Sequence, residues 1–219
     1  MPGLSAKQKK LAHKDLSKVR LCFVTDRQFL GERSLVDIVA QAIRGGVDMV
    51  QLREKNLEAR PWIDLAMEIS QLCRKKKVLF IVNDRVDIAA ASGADGVHLG
   101  QDDFPVAWAR KILGRGKIIG KSTHSVGQAK EAIREKADYI AVGPVFWTQT
   151  KKIDRPVGTE LVSRVRKFTK KPILAIGGIN SENAASVVGA GATGVAVISA
   201  LMAAPDTAEA ARAFRKALD

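Results

Sequence analysis

A single closed (β/α)8 barrel of class α/β is expected for this 219-residue chain, on three features of its sequence. A small-small-Asp-apolar signature recurs just ahead of four apolar runs. Four further short apolar runs lie about midway between these, and the stretches that separate neighbouring runs read as amphipathic helices. Interleaving the two sets gives eight strands roughly 25 residues apart, short and continuously apolar as befits a parallel sheet buried on both faces.

The first run is Leu21–Val24. Ser34 then caps a helix in which Leu35, Ile38, Val39, Ala42 and Ile43 form one apolar stripe, with Asp37 at the capping-box position and Gly45 as the stop. The signature first appears as Gly46-Val47-Asp48-Met49-Val50 and leads into the second strand. Residues 78–82 supply the third, Gly93-Ala94-Asp95-Gly96-Val97 introduces the fourth, and residues 118–119 mark the fifth. Lys136-Ala137-Asp138-Tyr139-Ile140 introduces the sixth, residues 172–176 form the seventh, and Gly191-Ala192-Thr193-Gly194-Val195 introduces the eighth. A last helix is capped by Asp206, with Glu209 three residues on and Phe214 and Leu218 facing inward. An open doubly wound sheet is the rival arrangement. Closure is favoured because odd and even strands carry two distinct sequence types, as expected when alternate strands fill alternate core layers.

The composition suits one domain: 46% of residues are apolar and 27% charged, enough for one sizeable core and unlike a disordered or repetitive chain. No apolar run reaches the ~18 residues of a membrane span. The net charge of +13 is uneven, because Lys7, Lys9, Lys10, Lys14, Lys18 and Arg20 against Asp15 put five units in the first 20 residues. Those residues have no apolar segment of the kind that directs secretion. Residues 1–18 are therefore expected to form a basic, poorly ordered extension, and residues 19–219 the catalytic barrel. Cys22 and Cys73 lack metal-ligand or CxxC spacing and read as buried, reduced thiols of a cytoplasmic protein.

Barrel enzymes place their chemistry at the C-terminal ends of the strands, and there this sequence turns polar. Asp84 and Asp103 follow the third and fourth strands and form a half-site suited to Mg2+, a hard cation that takes one or two carboxylates plus phosphate and water. Each also has a local reading, Asp84 as a helix cap and Asp103 as a helix start, and Asp102 competes as a ligand. Arg53, Lys55 and Lys151 could neutralise a diphosphate or form exposed basic loops. Gly177-Gly178 after the seventh strand and Ile198-Ser199 after the eighth match the usual phosphate position of barrels, where glycine lets backbone N–H groups approach oxygens. Gln51, Asn83 and Ser122 offer neutral donors and acceptors for a heteroaromatic edge. His98 and His124, outside any Ser-His-Asp pattern, read as supporting residues rather than acid-base catalysts.

Taken in order, residues 51–55 (QLREK), 83–87 (NDRVD), 97–103 (VHLGQDD), 120–125 (GKSTHS), 137–151 (ADYIAVGPVFWTQTK) and 175–179 (AIGGI) resemble the thiamine-phosphate synthase family, from about Arg20 to Ser199. The resemblance implies a transferase of thiamine biosynthesis. It would condense 4-amino-2-methyl-5-hydroxymethylpyrimidine diphosphate with 4-methyl-5-hydroxyethylthiazole phosphate, giving thiamine phosphate and pyrophosphate. It further implies that Gln51, Leu52, Arg53, Glu54, Lys55, Asn83, Ser122 and Lys151 bind the pyrimidine diphosphate, with Arg53, Lys55, Ser122 and Lys151 catalytic. Thr148, Gln149, Thr150, Gly178, Ile198 and Ser199 would bind the thiazole phosphate, and Asp84 and Asp103 one Mg2+ per site. Trp147 stands where the family usually has proline, and the basic arm lies outside the resemblance. A thiazole tautomerase on the same barrel is the nearest alternative, but this chain keeps Gly143-Pro144 and Thr148-Gln149-Thr150-Lys151. An RNA-binding barrel is the alternative from another class. At 5% aromatic residues, with none interleaved among the cations, the chain offers no stacking platform. The expected partners are thus small phosphorylated molecules, with neither nucleic acid nor membrane, and a homo-oligomer is compatible with the sequence.

Overall fold

The computed structural model describes residues 15–150 and 155–219. Every expected apolar run is a strand: β1 (Leu21–Val24), β2 (Met49–Leu52), β3 (Leu79–Asn83), β4 (Gly96–Leu99), β5 (Ile118–Thr123), β6 (Tyr139–Val142), β7 (Ile173–Ile176) and β8 (Gly194–Val197). Successive strands pair in parallel, and β8 pairs with β1, which closes the barrel and excludes the open sheet. Helices α1 (Leu35–Arg44), α2 (Ala59–Lys76), α3 (Val86–Ala91), α4 (Val106–Leu113), α5 (Val126–Arg134), α6 (Gly158–Arg166) and α7 (Ala184–Gly189) return the chain after β1 to β7. A short α8 (Ser199–Met202) and the longer α9 (Thr207–Leu218) follow β8.

Side chains alternate along each strand, as the pleat requires. Cys22, Val24, Met49, Leu79, Ile81, Tyr139, Leu174 and Ala196 fill the barrel interior. Phe23, Val50, Leu52, Phe80 and Val82 point the other way, into the layer shared with the helices. Leu16, within a 3-10 turn at Leu16–Lys18, packs against the interior cluster. The described end of the expected extension, from Asp15 on, is thus ordered and packs against the barrel through Leu16. The arm's other cations, Lys7 to Lys14, lie outside the described residues.

The recurring signature has a common structural role. Asp48 Oδ2 accepts the N–H groups of Arg20 and Leu21 (2.8 and 3.0 Å), and Asp95 Oδ2 accepts that of Phe80 (2.9 Å). Asp138 Oδ2 accepts that of Ile119 (2.7 Å), and Thr193 Oγ1 that of Ile173 (3.1 Å). Each residue precedes an even strand and clamps the start of the odd strand before it, at the end of the barrel opposite the mouth. The repeat thus marks four βαβα quarters.

Both capped helices form as expected: Ser34 Oγ accepts from Asp37 N and Asp206 from Glu209 N. Gly45 ends α1, but its φ is −79°, so a left-handed turn is not the reason for glycine. A Cβ there would lie 2.5 Å from the Ala208 carbonyl oxygen, because α9 packs closely against α1. Among the described residues no helix is long and apolar enough to cross a membrane.

Candidate active site

The polar strand exits gather at the C-terminal mouth. From β2, Gln51 points inward and is buried, whereas the Leu52 side chain packs outward in the helix layer, so only its backbone can face a ligand. Arg53 forms an ion pair with Asp26, just past β1. The Glu54 carboxylate is 3% exposed, takes the Arg27 guanidinium Nε on both oxygens at 2.8 Å, and lines one cavity of the mouth with Arg53 and Lys55, so it also fastens the β1 and β2 exits together. Burial raises its pKa, opposed by the Arg27 charge. Asp26 and Arg27 were not singled out from sequence. Their signal was the polar Thr25-Asp26 step at the end of the first apolar run.

Lys55 Nζ lies 2.5 Å from Asp84 Oδ2. Asp84 adopts φ +63°, a left-handed conformation that Asp tolerates better than most residues, and its N–H donates to the His98 carbonyl (2.8 Å). It does not cap α3, whose first flanking residue is Arg85. Asp103 does not start α4, which begins at Val106. Its Oδ2 instead accepts the Gly100 N–H at 2.6 Å. Burial and the neighbouring Asp84 carboxyl raise the Asp103 pKa. Asp84, Asp102 and Asp103 line one cleft with Arg85, Asp87 and Phe104, of about 540 Å3. Among the described residues no third His, Cys, Asp or Glu completes a metal-binding group. Two adjacent carboxylates that repel one another, with the rest of the sphere left to solvent and phosphate, suit Mg2+ and not a fully caged ion.

Thr148, Thr150, Gly178, Ile198 and Ser199 line a second, narrow cavity with Gly177, at the ends of β7 and β8. Gln149 is exposed and is not part of that lining. Gly178 has φ +65°, and the strand-six loop lies directly over it. Trp147 is 67% exposed, so the residue that departs from the family pattern projects outward, while its carbonyl faces Gly178. Thr150 also lines a cavity of about 410 Å3 with Arg53 and Lys55, linking the two halves of the mouth. Lys151 lies outside the described residues.

Asn83 and Ser122 end inward-facing rows of β3 and β5. Behind Ser122 sits His98, which is 4% exposed, with Nε2 2.9 Å from Ser122 Oγ and Nδ1 2.9 Å from the Tyr139 hydroxyl. Burial pushes the imidazole pKa down to about 4. His124 Nδ1 meets the Gly143 carbonyl at 2.5 Å and ties the β5 exit to β6. Tyr139 was read from sequence only as a strand residue. The depressed His98 pKa destabilises the fold in acid, because below pH ~6.5 the unfolded chain takes up a proton that the folded chain refuses until pH ~4. Stability should fall across that window by up to ~1.4 kcal/mol per pH unit from this group. Urea unfolding at pH 7 and pH 4.5 should show a smaller acid loss for His98→Asn than for the parent.

A closed barrel with a narrow glycine-lined cavity beyond β7 and β8, paired carboxylates beyond β3 and β4, and cations beyond β2 has the parts of an enzyme for phosphorylated small molecules. The model of the thiamine monophosphate synthase family matches residues 21–201. A thiamine-phosphate synthase from Chloroflexus aurantiacus is 48% identical over 197 residues, covering 90% of this chain and 91% of that protein. One from Clostridium novyi is 48% identical over 184 residues, covering 84% of this chain and 90% of its own. The solved thiamine phosphate pyrophosphorylase of Pyrococcus furiosus superposes with a TM-score of 0.86 at 39% identity, covering 93% of this chain and 96% of that one. The chain belongs to the thiamine monophosphate synthase family.

Proposed function

We propose that this chain is a thiamine-phosphate synthase that works at the barrel mouth described above. It is a transferase of thiamine biosynthesis, joining the hydroxymethylpyrimidine of the diphosphate substrate to the thiazole phosphate nitrogen and releasing pyrophosphate. The observation that carries the reading is the meeting of two sub-sites in one mouth, with Thr150 lining both the thiazole-phosphate cavity and the cavity of Arg53 and Lys55.

Gln51, Asn83 and Ser122 hold the pyrimidine ring, and Arg53 and Lys55 with Lys151 hold its diphosphate. Asp84 and Asp103 would hold one Mg2+, which when bound neutralises phosphate charge. The C–O bond to the diphosphate breaks first and leaves a pyrimidine-stabilised cation. The bidentate guanidinium of Arg53 and the point charge of Lys55 take up the negative charge that grows on the departing oxygens. For this, Arg53 and Lys55 exchange their carboxylate partners, Asp26 and Asp84, for phosphate. Thr148, Thr150, Gly178, Ile198 and Ser199 fix the thiazole phosphate so that its ring nitrogen is aligned when the cation forms, and no nucleophile or strong base is needed from the protein. The enzyme acts on these small molecules in the cytoplasm, and not on nucleic acid. The buried free thiols of Cys22 and Cys73 support a reducing compartment.

The test is to mix the purified chain with both substrates and Mg2+ and to measure pyrophosphate. Release should require both substrates and stop on addition of EDTA. Lys151→Ala should lower the rate by about two orders of magnitude or more without lowering the unfolding temperature. Pyrophosphate formed at the same rate without the thiazole phosphate would show a hydrolase instead.

A further inference from the structure

One buried cation plays no part in the proposed function. Lys121 lies on β5 opposite Leu99 of β4, and its side chain points, like those of Ile119 and Leu99, into the layer between barrel and helices. It is 6% exposed. Its ammonium donates to the Gly100 carbonyl at 2.7 Å, and among the described residues no carboxylate pairs with it. Withdrawing an ammonium from water without a counter-charge is costly, and methionine would fill the same space without that cost. What lysine adds is a charged donor, which holds a carbonyl more strongly than a neutral one.

That carbonyl begins the turn that carries Asp103. Beyond β4 the chain turns at residues 101–102 and brings the Asp103 carboxylate back over Gly100, whose N–H donates to Oδ2 at 2.6 Å. The fit is close: a Cβ on Gly100 would lie 2.9 Å from the same oxygen. Two side chains fasten this turn to β5, Lys121 through the Gly100 carbonyl and Gln101 through the Ser122 carbonyl. Gln101 is exposed, so water competes for its bond. Lys121 bonds from the dry side and is the firmer of the two. Asp84 needs no such prop, since its own N–H is fixed on the His98 carbonyl at 2.8 Å. The two carboxylates of the half-site are thus set by different means, one through a backbone bond to β4 and the other through a turn propped from β5.

We propose that Lys121 is a positioning residue: by holding Gly100 it fixes the Asp103 carboxylate beside Asp84, so that the pair is ready for a divalent cation. This rests on the metal half-site of the proposed function and adds what keeps that half-site in shape. Lys121 itself touches neither ion nor substrate. Its effect passes through one glycine, whose carbonyl it holds and whose N–H holds the carboxylate.

Binding of Mn2+ alone, followed by the electron paramagnetic resonance of the free ion, tests this without turnover. Lys121→Met should weaken Mn2+ binding about tenfold or more, as loss of a group that orients a ligand commonly does. Its melting temperature without metal should stay at or above that of the parent, because the buried charge is gone. Lys121→Gln, one atom shorter and neutral, is a second variant in case the first does not fold, and should weaken binding in the same direction. A structural role alone would lower the melting temperature and leave the Mn2+ affinity unchanged, and unchanged affinity in a folded variant overturns the proposal. The Gly100 amide gives a readout that needs no metal. Its proton, bonded to a carboxylate in the parent, should exchange with solvent about tenfold faster or more in either variant. If the parent binds no Mn2+, the metal half-site fails as a reading of this mouth. An unchanged Gly100 exchange rate then overturns the role of Lys121 as well, whereas a faster one upholds Lys121 as the support of Asp103.

Discussion

Asp84→Asn lowers turnover by about 10^3-fold and leaves the barrel folded. On the proposed function the carboxylate adds charge to the Mg2+ half-site, and it is the ion-pair partner of Lys55, at 2.5 Å. Metal-assisted charge stabilisation is worth several kcal/mol in a transition state, which sets the size of the loss. Stability behaves differently, because at φ +63° Asn is among the few side chains that fit without strain. Neutralising Asp84 also removes a charge that raises the Asp103 pKa, so Asp103 ionises more readily. Steady-state rates at saturating substrate, beside thermal unfolding with and without Mg2+, check both halves. The variant should melt at or above the parent temperature and gain less from added Mg2+. A rate within threefold of the parent would remove the carboxylate pair from the reaction.

Gly178→Ala weakens thiazole-phosphate binding by at least about tenfold and pyrimidine diphosphate binding by a clearly smaller factor. The added Cβ would lie 2.2 Å from the Trp147 carbonyl oxygen and 2.8 Å from Phe146 Cβ, and φ is +65°. The oxygen is main-chain and cannot rotate away, so the strand-six loop must lift and carry Thr148 and Thr150 with it. Strain and overpacking of this kind cost about 1–3 kcal/mol. KM for each substrate measured at saturation of the other separates the two sub-sites. Equal effects on both would mean that the loop serves the whole mouth.

The sequence made the barrel legible because its signature answers a backbone need. Asp48, Asp95, Asp138 and Thr193 each satisfy an N–H at the start of an odd strand, so the same chemistry recurs at each quarter and shows as a repeat. The narrow cavity at the ends of β7 and β8 was legible for a similar reason, as Gly178 is a backbone requirement that only glycine meets there. Interactions between distant strands were less visible. Leu52 and Glu54 lie inside a motif that also holds Arg53 and Lys55, yet one packs in the helix layer and the other holds Arg27. Strand phase separates inward Gln51 from outward Leu52, but the partner of Glu54 comes from another exit. Tyr139 was hidden because its ring belongs in the core by every local criterion, and only the cross-barrel approach to His98 gives its hydroxyl a task.

The seam between β8 and β1 is the one junction of the barrel where the chain itself does not continue. Arg215 bonds Asp48 at 2.9 Å, and Arg20 reaches the carbonyls of Thr193 and Leu218 at 2.8 and 2.5 Å. The same Asp48 that clamps β1 also receives the final helix, so the join is fastened at the floor, on the side away from the ligands. The first and last turns of the ring are thereby neighbours whose covalent separation has little mechanical meaning. A chain rewired to begin at another quarter, with its old ends bridged by a short linker, would carry the same mouth, since order around the ring and not order along the gene sets which groups meet there.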